Sequence, residues 1–443
     1  MFAQGFSSLI KLSMQKIACI FSFKMSSWVS CQKIVFNLLK AYQLNPDLEL
    51  LNFNYSIDQY DQEIYQLAQK IAQSKPDVIS ILDHKPHPAR LLIPLIIELK
   101  RLGRKPRFIF HIFGDFTLNY NHWGELGKQL EGFEVDFVVA SKRQKHLIDK
   151  FLQPEHESVV CPFPVDKKEF FYAPELREKQ RELWGLKKDD IAYVFCGRLS
   201  RQKRIHTLLK AFSELLESTQ SPKAHLFIYG NPDNVGDQFL GIWEVEGEYF
   251  RKINRIYKSL PLSVQERIHF MGGVPNAELK AVYQGADWLI NLSVHNDEDY
   301  GMSVAEALCS GLPAIITDWG GLASFEITSI KNATFLVPTK IGEKSKLINY
   351  DAFLDFLKIS LKNSQFDKRN DISEVTSDQF SIVPASKIIQ DLLGTNPKPF
   401  SGFNQFFEKI MQNVTFFQNP YITTRKHINT TYREIYSSYV REH

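Results

Sequence analysis

Residues 296–321 read Asn-Asp-Glu-Asp-Tyr-Gly-Met-Ser-Val-Ala-Glu-Ala-Leu-Cys-Ser-Gly-Leu-Pro-Ala-Ile-Ile-Thr-Asp-Trp-Gly-Gly, and this stretch decides the fold. An apolar run over 288–292 leads into it, an acidic loop follows, and a short helix is predicted over 304–310. Gly311 and Pro313 supply the stop that a helix C-terminus needs. A second apolar run, 314–316, comes next. Strand, loop, short helix and strand in that order make half of an open α/β domain.

The loop has a chemical logic. Gly301 lets the backbone turn without a Cβ in the way. The N–H groups of Gly301, Met302 and Ser303 then fall at a helix N-terminus without intrahelical partners, a seat for a phosphate. Glu298 and Glu306 flank that seat. A carboxylate repels a phosphate, so each is better suited to sugar hydroxyls on either side of a diphosphate. Two further readings stand beside this one. Ser303 and Glu306 have the spacing of a capping box. Asp297 and Asp299 either hold a divalent metal or belong to a solvated acidic loop.

The block Glu298-x7-Glu306, with Ala-Leu-Cys-Ser-Gly-Leu-Pro-Ala-Ile and Gly-Gly behind it, resembles the donor-site signature of retaining glycosyltransferases of the GT-B fold, family 4 (glycosyl transferases group 1). A second block lies upstream. The apolar run 191–195 enters Cys196-Gly197-Arg198-Leu199-Ser200-Arg201-Gln202-Lys203, and a helix is predicted over 205–216. Arg198 offers a planar fork and Lys203 a mobile point charge, both suited to phosphate oxygens. The resemblance implies that this pair clamps the donor diphosphate, although Arg204 stands where the family commonly has glycine. It also implies a base-binding loop at Gly272-Gly273-Val274, with backbone groups near Val274 reading the nucleobase, and Tyr300 beside the phosphate seat. A histidine facing the donor sugar is implied at His111, whose position inside the apolar run 108–113 equally fits a core residue.

Around these blocks the chain alternates strand-like and helix-like segments. Strands are predicted at 17–23, 48–53, 77–82, 107–113, 137–140 and 159–161, and helices at 28–42, 62–73 and 91–102. The expected architecture is α/β: two Rossmann-like, doubly wound parallel-sheet domains facing a central cleft. The first covers 1–164 and is completed by 384–443; the second, which takes the donor, covers 165–383. Pro162, Pro164, Val165, Asp166 and Phe170 mark the boundary, and 384–393 resembles the family's crossover helix, which implies a return to the first domain. Residues 362–378 read as a polar loop, 231–266 as a long charged connection, and 403–417 as a helix with a Phe/Ile/Val stripe that belongs to the core. The loop 23–28 lacks the glycines usual in the family, and His84-x-x-His87 reads as loop residues rather than a metal pair.

Composition bounds the rest. Charged residues are 23% and hydrophobic ones 44%, values ordinary for a globular chain. A net charge of +3 gives no case for nucleic acid. Five scattered cysteines without C-x-x-C suggest a reducing compartment, with neither disulfides nor zinc. No run is long enough to span a bilayer. Met14 is an alternative start. The expectation is a cytoplasmic enzyme, with basic clusters at 100–107 and 142–150 as candidates for peripheral contact with the inner face of the membrane. The resemblance implies transfer of a sugar from a nucleotide-diphospho-sugar to a glycan, lipid-linked or other acceptor, with retention, without metal or cofactor, in cell-surface polysaccharide or glycoconjugate biosynthesis. Phosphorylase, epimerase and non-catalytic subunit remain the alternatives for this fold.

Overall fold

The computed structural model describes residues 14–22, 29–56, 58–82, 89–219, 223–236, 244–362, 366–412 and 428–441. The loop 23–28, the His84/His87 pair, and Val414 and Phe417 of the aromatic stripe lie outside them.

The first half runs β1 (Gln15–Phe21), α1 (Val29–Gln43), β2 (Leu48–Asn54), α2 (Asp61–Gln73), β3 (Val78–Ile81), α3 (Ala89–Arg101), β4 (Arg107–His111), α4 (Tyr120–Leu130), β5 (Val135–Val139), α5 (Lys142–Asp149) and β6 (Val159–Val160). The second runs α6 (Glu175–Leu183), β7 (Ile191–Cys196), α7 (Ile205–Thr219), β8 (Ala224–Tyr229), α8 (Glu248–Ser259), α9 (Leu262–Gln265), β9 (Ile268–Gly272), α10 (Asn276–Gly285), β10 (Trp288–Asn291), α11 (Met302–Cys309), β11 (Ala314–Thr317), β12 (Thr334–Val337), β13 (Thr339–Ile341) and β14 (Lys346–Ile348). The helices α12 (Tyr350–Lys362), α13 (Arg369–Phe380), α14 (Ile382–Leu393), α15 (Gln405–Met411) and α16 (Thr430–Tyr436) follow.

The described strands make two six-stranded sheets and a two-stranded ribbon. The first sheet has the order β2-β1-β3-β4-β5-β6 and the second β12-β11-β10-β7-β8-β9. Pairing within both is parallel throughout. Strands such as β3 and β4 are buried along their whole length, because helices cover both faces and leave no side for polar residues. In each sheet the order reverses once, between β1 and β3 in the first and between β7 and β10 in the second. Open parallel sheets bind ligands at the carboxyl ends of strands beside such a reversal. This is the GT-B arrangement of two Rossmann-like domains.

Two crossings join the halves and lie side by side. Val165 donates from its amide to the Phe380 carbonyl at 2.7 Å. α14 then packs on α1. Lys40 pairs with Asp166 and Lys33 with Glu169 across the same junction. One buried apolar cluster is continuous through it, with Phe163 against Tyr300 and Tyr300 against Phe325 and Phe380.

In the segment predicted as a loop, 362–378, residues 369–378 are helical and belong to α13. Its buried side is Ile372, Ser373, Thr376, Ser377 and Phe380, so small hydroxyl residues form the packing face against α11 and leave no apolar period to read. Arg369 anchors it, donating to the carbonyls of Tyr283, Gln284, Ala286 and Gly311 at helix ends, where the backbone dipole favours a cation. In the described part of the aromatic stripe, Phe403, Phe407 and Ile410 are core. Phe403 and Phe407 pack on Trp123, Phe116 and Tyr120, and Gly127 leaves the room that Phe403 occupies.

Candidate active site

A cavity of about 560 Å³ opens between the halves, with the carboxyl ends of β7 and β10 on one wall. Gly197, Arg198 and Lys203 line it from one turn, and Glu298, Gly301, Met302, Ser303 and Glu306 from the other. The two blocks therefore meet because β7 and β10 are neighbours in the sheet.

Close backbone packing makes the turn after β7. A Cβ on Gly230 would sit 1.8 Å from the Gly197 carbonyl oxygen, so the turns after β7 and β8 can touch only through glycine. Asp233, in the turn following β8, accepts from Arg198 at 2.7 Å and aims the guanidinium. The long connection has a place here too: Glu244 pairs with Arg201, and the Gly236 carbonyl accepts from Gln202. Lys203 reaches across to Glu298 in an ion pair buried at the cavity wall.

On the other side, Gly301 is the N-cap of α11, with φ +112°. A Cβ there would also lie 2.6 Å from Leu322 Cδ2. The capping-box reading is corrected accordingly. The helix starts at Met302, so Ser303 is already inside its first turn, and its side chain makes no cap. Glu306 is buried, and burial pushes its carboxyl up to about 8, with Lys33 of the first half pulling the other way. Val274 lines the cavity beside Gly273, whose amide donates to Asn231 Oδ1 at 3.0 Å. Tyr300 borders the cleft, but its ring is 1% exposed and committed to the aromatic junction core, so the expected ligand contact does not fit its side chain.

His111 also stands corrected. It is 3% exposed, pairs with Tyr42 Oη at 3.0 Å, and does not border the cleft. Burial lowers its pKa to about 3, so it is a neutral core residue. Among the described residues the histidine at the cavity is His295, held neutral by burial and by Lys346, Lys203 and Arg198 around it. It precedes the acidic loop in sequence, which was the available signal.

From the first half, Phe113 and Gly114 reach the cavity. Gly114 donates its amide to Asp299 at 2.7 Å, and Asp115 donates its amide to Asp297 at 2.8 Å. The two aspartates thus dock the acidic loop on the first domain, which replaces the solvated-loop reading. Among the described residues no group of three or more His, Cys, Asp or Glu is placed to hold a metal ion.

The basic clusters are largely tied into the fold. Arg101 pairs with Glu98, Arg107 with Asp136, Arg143 with Asp318, and Lys145 with Asp149 and Glu157. Among the described residues no helix is long and apolar enough to cross a membrane.

Residues 177–350 match the family model of glycosyl transferases group 1. That segment belongs to this family. The group 1 segment holds both cavity-lining blocks, Gly197–Lys203 and Glu298–Glu306. Mannosylfructose-phosphate synthase of Agrobacterium fabrum is 28% identical over 211 residues, which are 47% of this chain and 43% of that protein. D-inositol 3-phosphate glycosyltransferase of Nocardia farcinica is 27% identical over 202 residues, 45% of this chain and 41% of that one. The chain therefore matches less than half the length of these curated relatives. The crystal structure of Anabaena Alr3699/HepE in complex with UDP and glucose superposes with a TM-score of 0.60 at 15% identity, covering 85% of this chain and 99% of that one. The group 1 match is thus confined to the second domain, whereas the likeness of fold extends over both.

Proposed function

We propose that the protein is a retaining glycosyltransferase that moves a sugar from a nucleoside-diphospho-sugar to a glycan, lipid-linked or other acceptor. One observation carries this reading: two cations and a helix N-terminus converge on one cleft at the reversal point of the second sheet. Charge builds on the diphosphate as the glycosidic bond breaks. Arg198, Lys203 and the amides of Gly301 to Ser303 stabilise that charge where it develops. Each charge-assisted contact contributes roughly 1.5–3 kcal/mol.

Lys203 and Glu298 already form an ion pair, so the lysine is positioned before a donor arrives. Glu298 then holds sugar hydroxyls and Glu306 the ribose. Because burial favours the neutral form of Glu306, it can donate as well as accept there. Backbone groups near Val274 face the base. The departing phosphate deprotonates the acceptor hydroxyl, so no separate base is required. Asp297 and Asp299 each accept an amide of the first domain on one oxygen, a docking role, and the proposed reaction runs without metal. The UDP and glucose bound in the Anabaena structure of similar fold support a nucleotide sugar as donor. The proposal extends to a place in cell-surface polysaccharide or glycoconjugate synthesis, on the cytoplasmic side.

The test is a panel of nucleotide sugars incubated with the protein in EDTA, scoring release of nucleoside diphosphate. Release from one donor, unaffected by EDTA, is expected. Activity that disappears with EDTA and returns with manganese would contradict the metal-free reading. No release and no calorimetric binding from any donor would reject the enzyme.

A further inference from the structure

The last described segment, 428–441, touches both domains at once. Its helix α16 is anchored to the first domain by Lys150, whose Nζ donates to the carbonyls of Glu434 and Ile435 at 2.6 and 3.0 Å. A cation at these last carbonyls is favourable electrostatically. The second domain holds it from the other side. Arg433 donates to the carbonyls of Ile341 and Gly342 at 2.8 and 2.7 Å, and the Ile428 amide donates to the Glu343 carbonyl at 2.7 Å.

Between these anchors, two tyrosines reach the residues that set the cleft. Tyr432 Oη donates to Asn296 Oδ1 at 3.0 Å, the residue that opens the acidic loop. Tyr436 Oη donates to the Asp115 carboxylate and lies 2.8 Å from Thr117 Oγ1. Both tyrosines are fully buried. Asp115 and Asn296 are the ends of the same interdomain contact, since the amides of Gly114 and Asp115 hold Asp299 and Asp297. Tyr439 extends the contact, its ring lying at the edge of Trp319, whose indole N–H donates to the His295 carbonyl at 2.6 Å.

We infer that residues 428–441 are an interdomain clasp, and that Tyr432 and Tyr436 are positioning residues which fix the acidic loop 296–299 against the turn 113–115. The consequence for donor binding rests on the glycosyltransferase reading, because Glu298 and its partner Lys203 ride on that loop. The clasp itself rests only on the contacts. Removing the two hydroxyls leaves the rings packed and loosens the loop and the turn, which are then held to each other only by the amides of Gly114 and Asp115 among the bonds described above. The effect is therefore local, at the contact that closes the cleft.

The experiment compares the full chain with a Tyr432→Phe/Tyr436→Phe variant by amide hydrogen exchange. Peptides covering 112–117 and 294–301 should exchange about tenfold faster, as expected for the loss of two net hydrogen bonds, while 78–81 and 191–196 stay unchanged. Lys150→Ala, which removes an anchor outside the cleft, should give the same pattern. UDP-glucose and GDP-mannose are titrated in parallel, and whichever binds the wild type should bind the double variant about tenfold more weakly. Unchanged exchange in both loops overturns the clasp, and so does an equal acceleration in every peptide, which would mean general destabilisation. If neither nucleotide sugar binds the wild type, the reading of the cleft fails for these donors, and the exchange result still decides the clasp.

Discussion

The two sheets reverse their strand order at corresponding places, yet the two edges are built differently. In the second domain, side chains converge on the reversal: Arg198 and Lys203 after β7, Glu298 and Glu306 around the start of α11. In the first domain, Ser30, Cys31 and Lys33 line the cavity from α1, while His111 near the same edge is sealed into the core against Tyr42. What the first domain brings to the contact is backbone, the amides of Gly114 and Asp115. The donor edge of the second domain is specified by residue type, and the first domain's hold on the acidic loop by chain path. Substitutions should therefore act on chemistry in the second domain and on docking or folding in the first.

The largest effect is expected at Arg198. Arg198→Ala should lower transfer by about 100-fold or more, the range for removing one preorganised donor to developing charge, while the melting temperature stays near that of the wild type. Lys203→Ala should match it in activity but also lower stability, because Glu298 is left as a buried carboxylate without its cation. Adding Glu298→Gln should restore part of that stability and none of the activity. Equal stability of the two single variants would break the assignment of the pair.

Gly301→Ala comes next. The residue must take φ +112° and would press a Cβ on Leu322, so a loss of roughly 1–3 kcal/mol is expected in denaturant unfolding. A neutral result would mean the turn has another conformation.

The interdomain contact should respond to pH. Burial and the charge of Asp297 raise Asp115 to about 7, and burial raises Asp299 to about 8. Folded pKa values above the unfolded ones mean that the protein binds more protons folded than unfolded between about 4 and 8. Stability from these groups is thus complete below about pH 4 and is lost as pH rises through 7 to 8. Asp115→Asn should flatten the decline in melting temperature between pH 5 and 8. A decline of unchanged slope would remove Asp115 from the contact.

The smallest effect belongs to His111. His111→Phe removes one bond to Tyr42, which keeps Ser80 as a partner at 2.9 Å. A cost of about 1 kcal/mol is expected, with donor affinity unchanged. Weakened donor binding would return His111 to the active site.

What could be read beforehand follows the same division. The strand runs, the glycine and proline that end α11, and the Arg198/Lys203 and Glu298/Glu306 blocks are patterns of residue type, and the structure brings these blocks together. Elements without such a pattern escaped. α13 buries serine and threonine rather than an apolar stripe. Gly301 took the cap that the Ser303/Glu306 spacing appeared to offer to a side chain. The amides at 114 and 115 carry no side-chain signature at all. The clasp had a signal that went unused: Tyr432, Tyr436 and Tyr439 repeat at helical spacing and are all buried.

The central claim is that a diphosphate lies between the Arg198/Lys203 turn and the N-terminus of α11. Calorimetric titration of a panel of nucleoside diphosphates and nucleotide sugars into the wild type and Arg198→Ala, both in EDTA, tests it most directly. The account predicts saturable one-site binding by the wild type that Arg198→Ala weakens by at least about tenfold, as loss of one charge-assisted contact requires. Equal affinity in the two proteins, or binding only when a divalent metal is added, would contradict it.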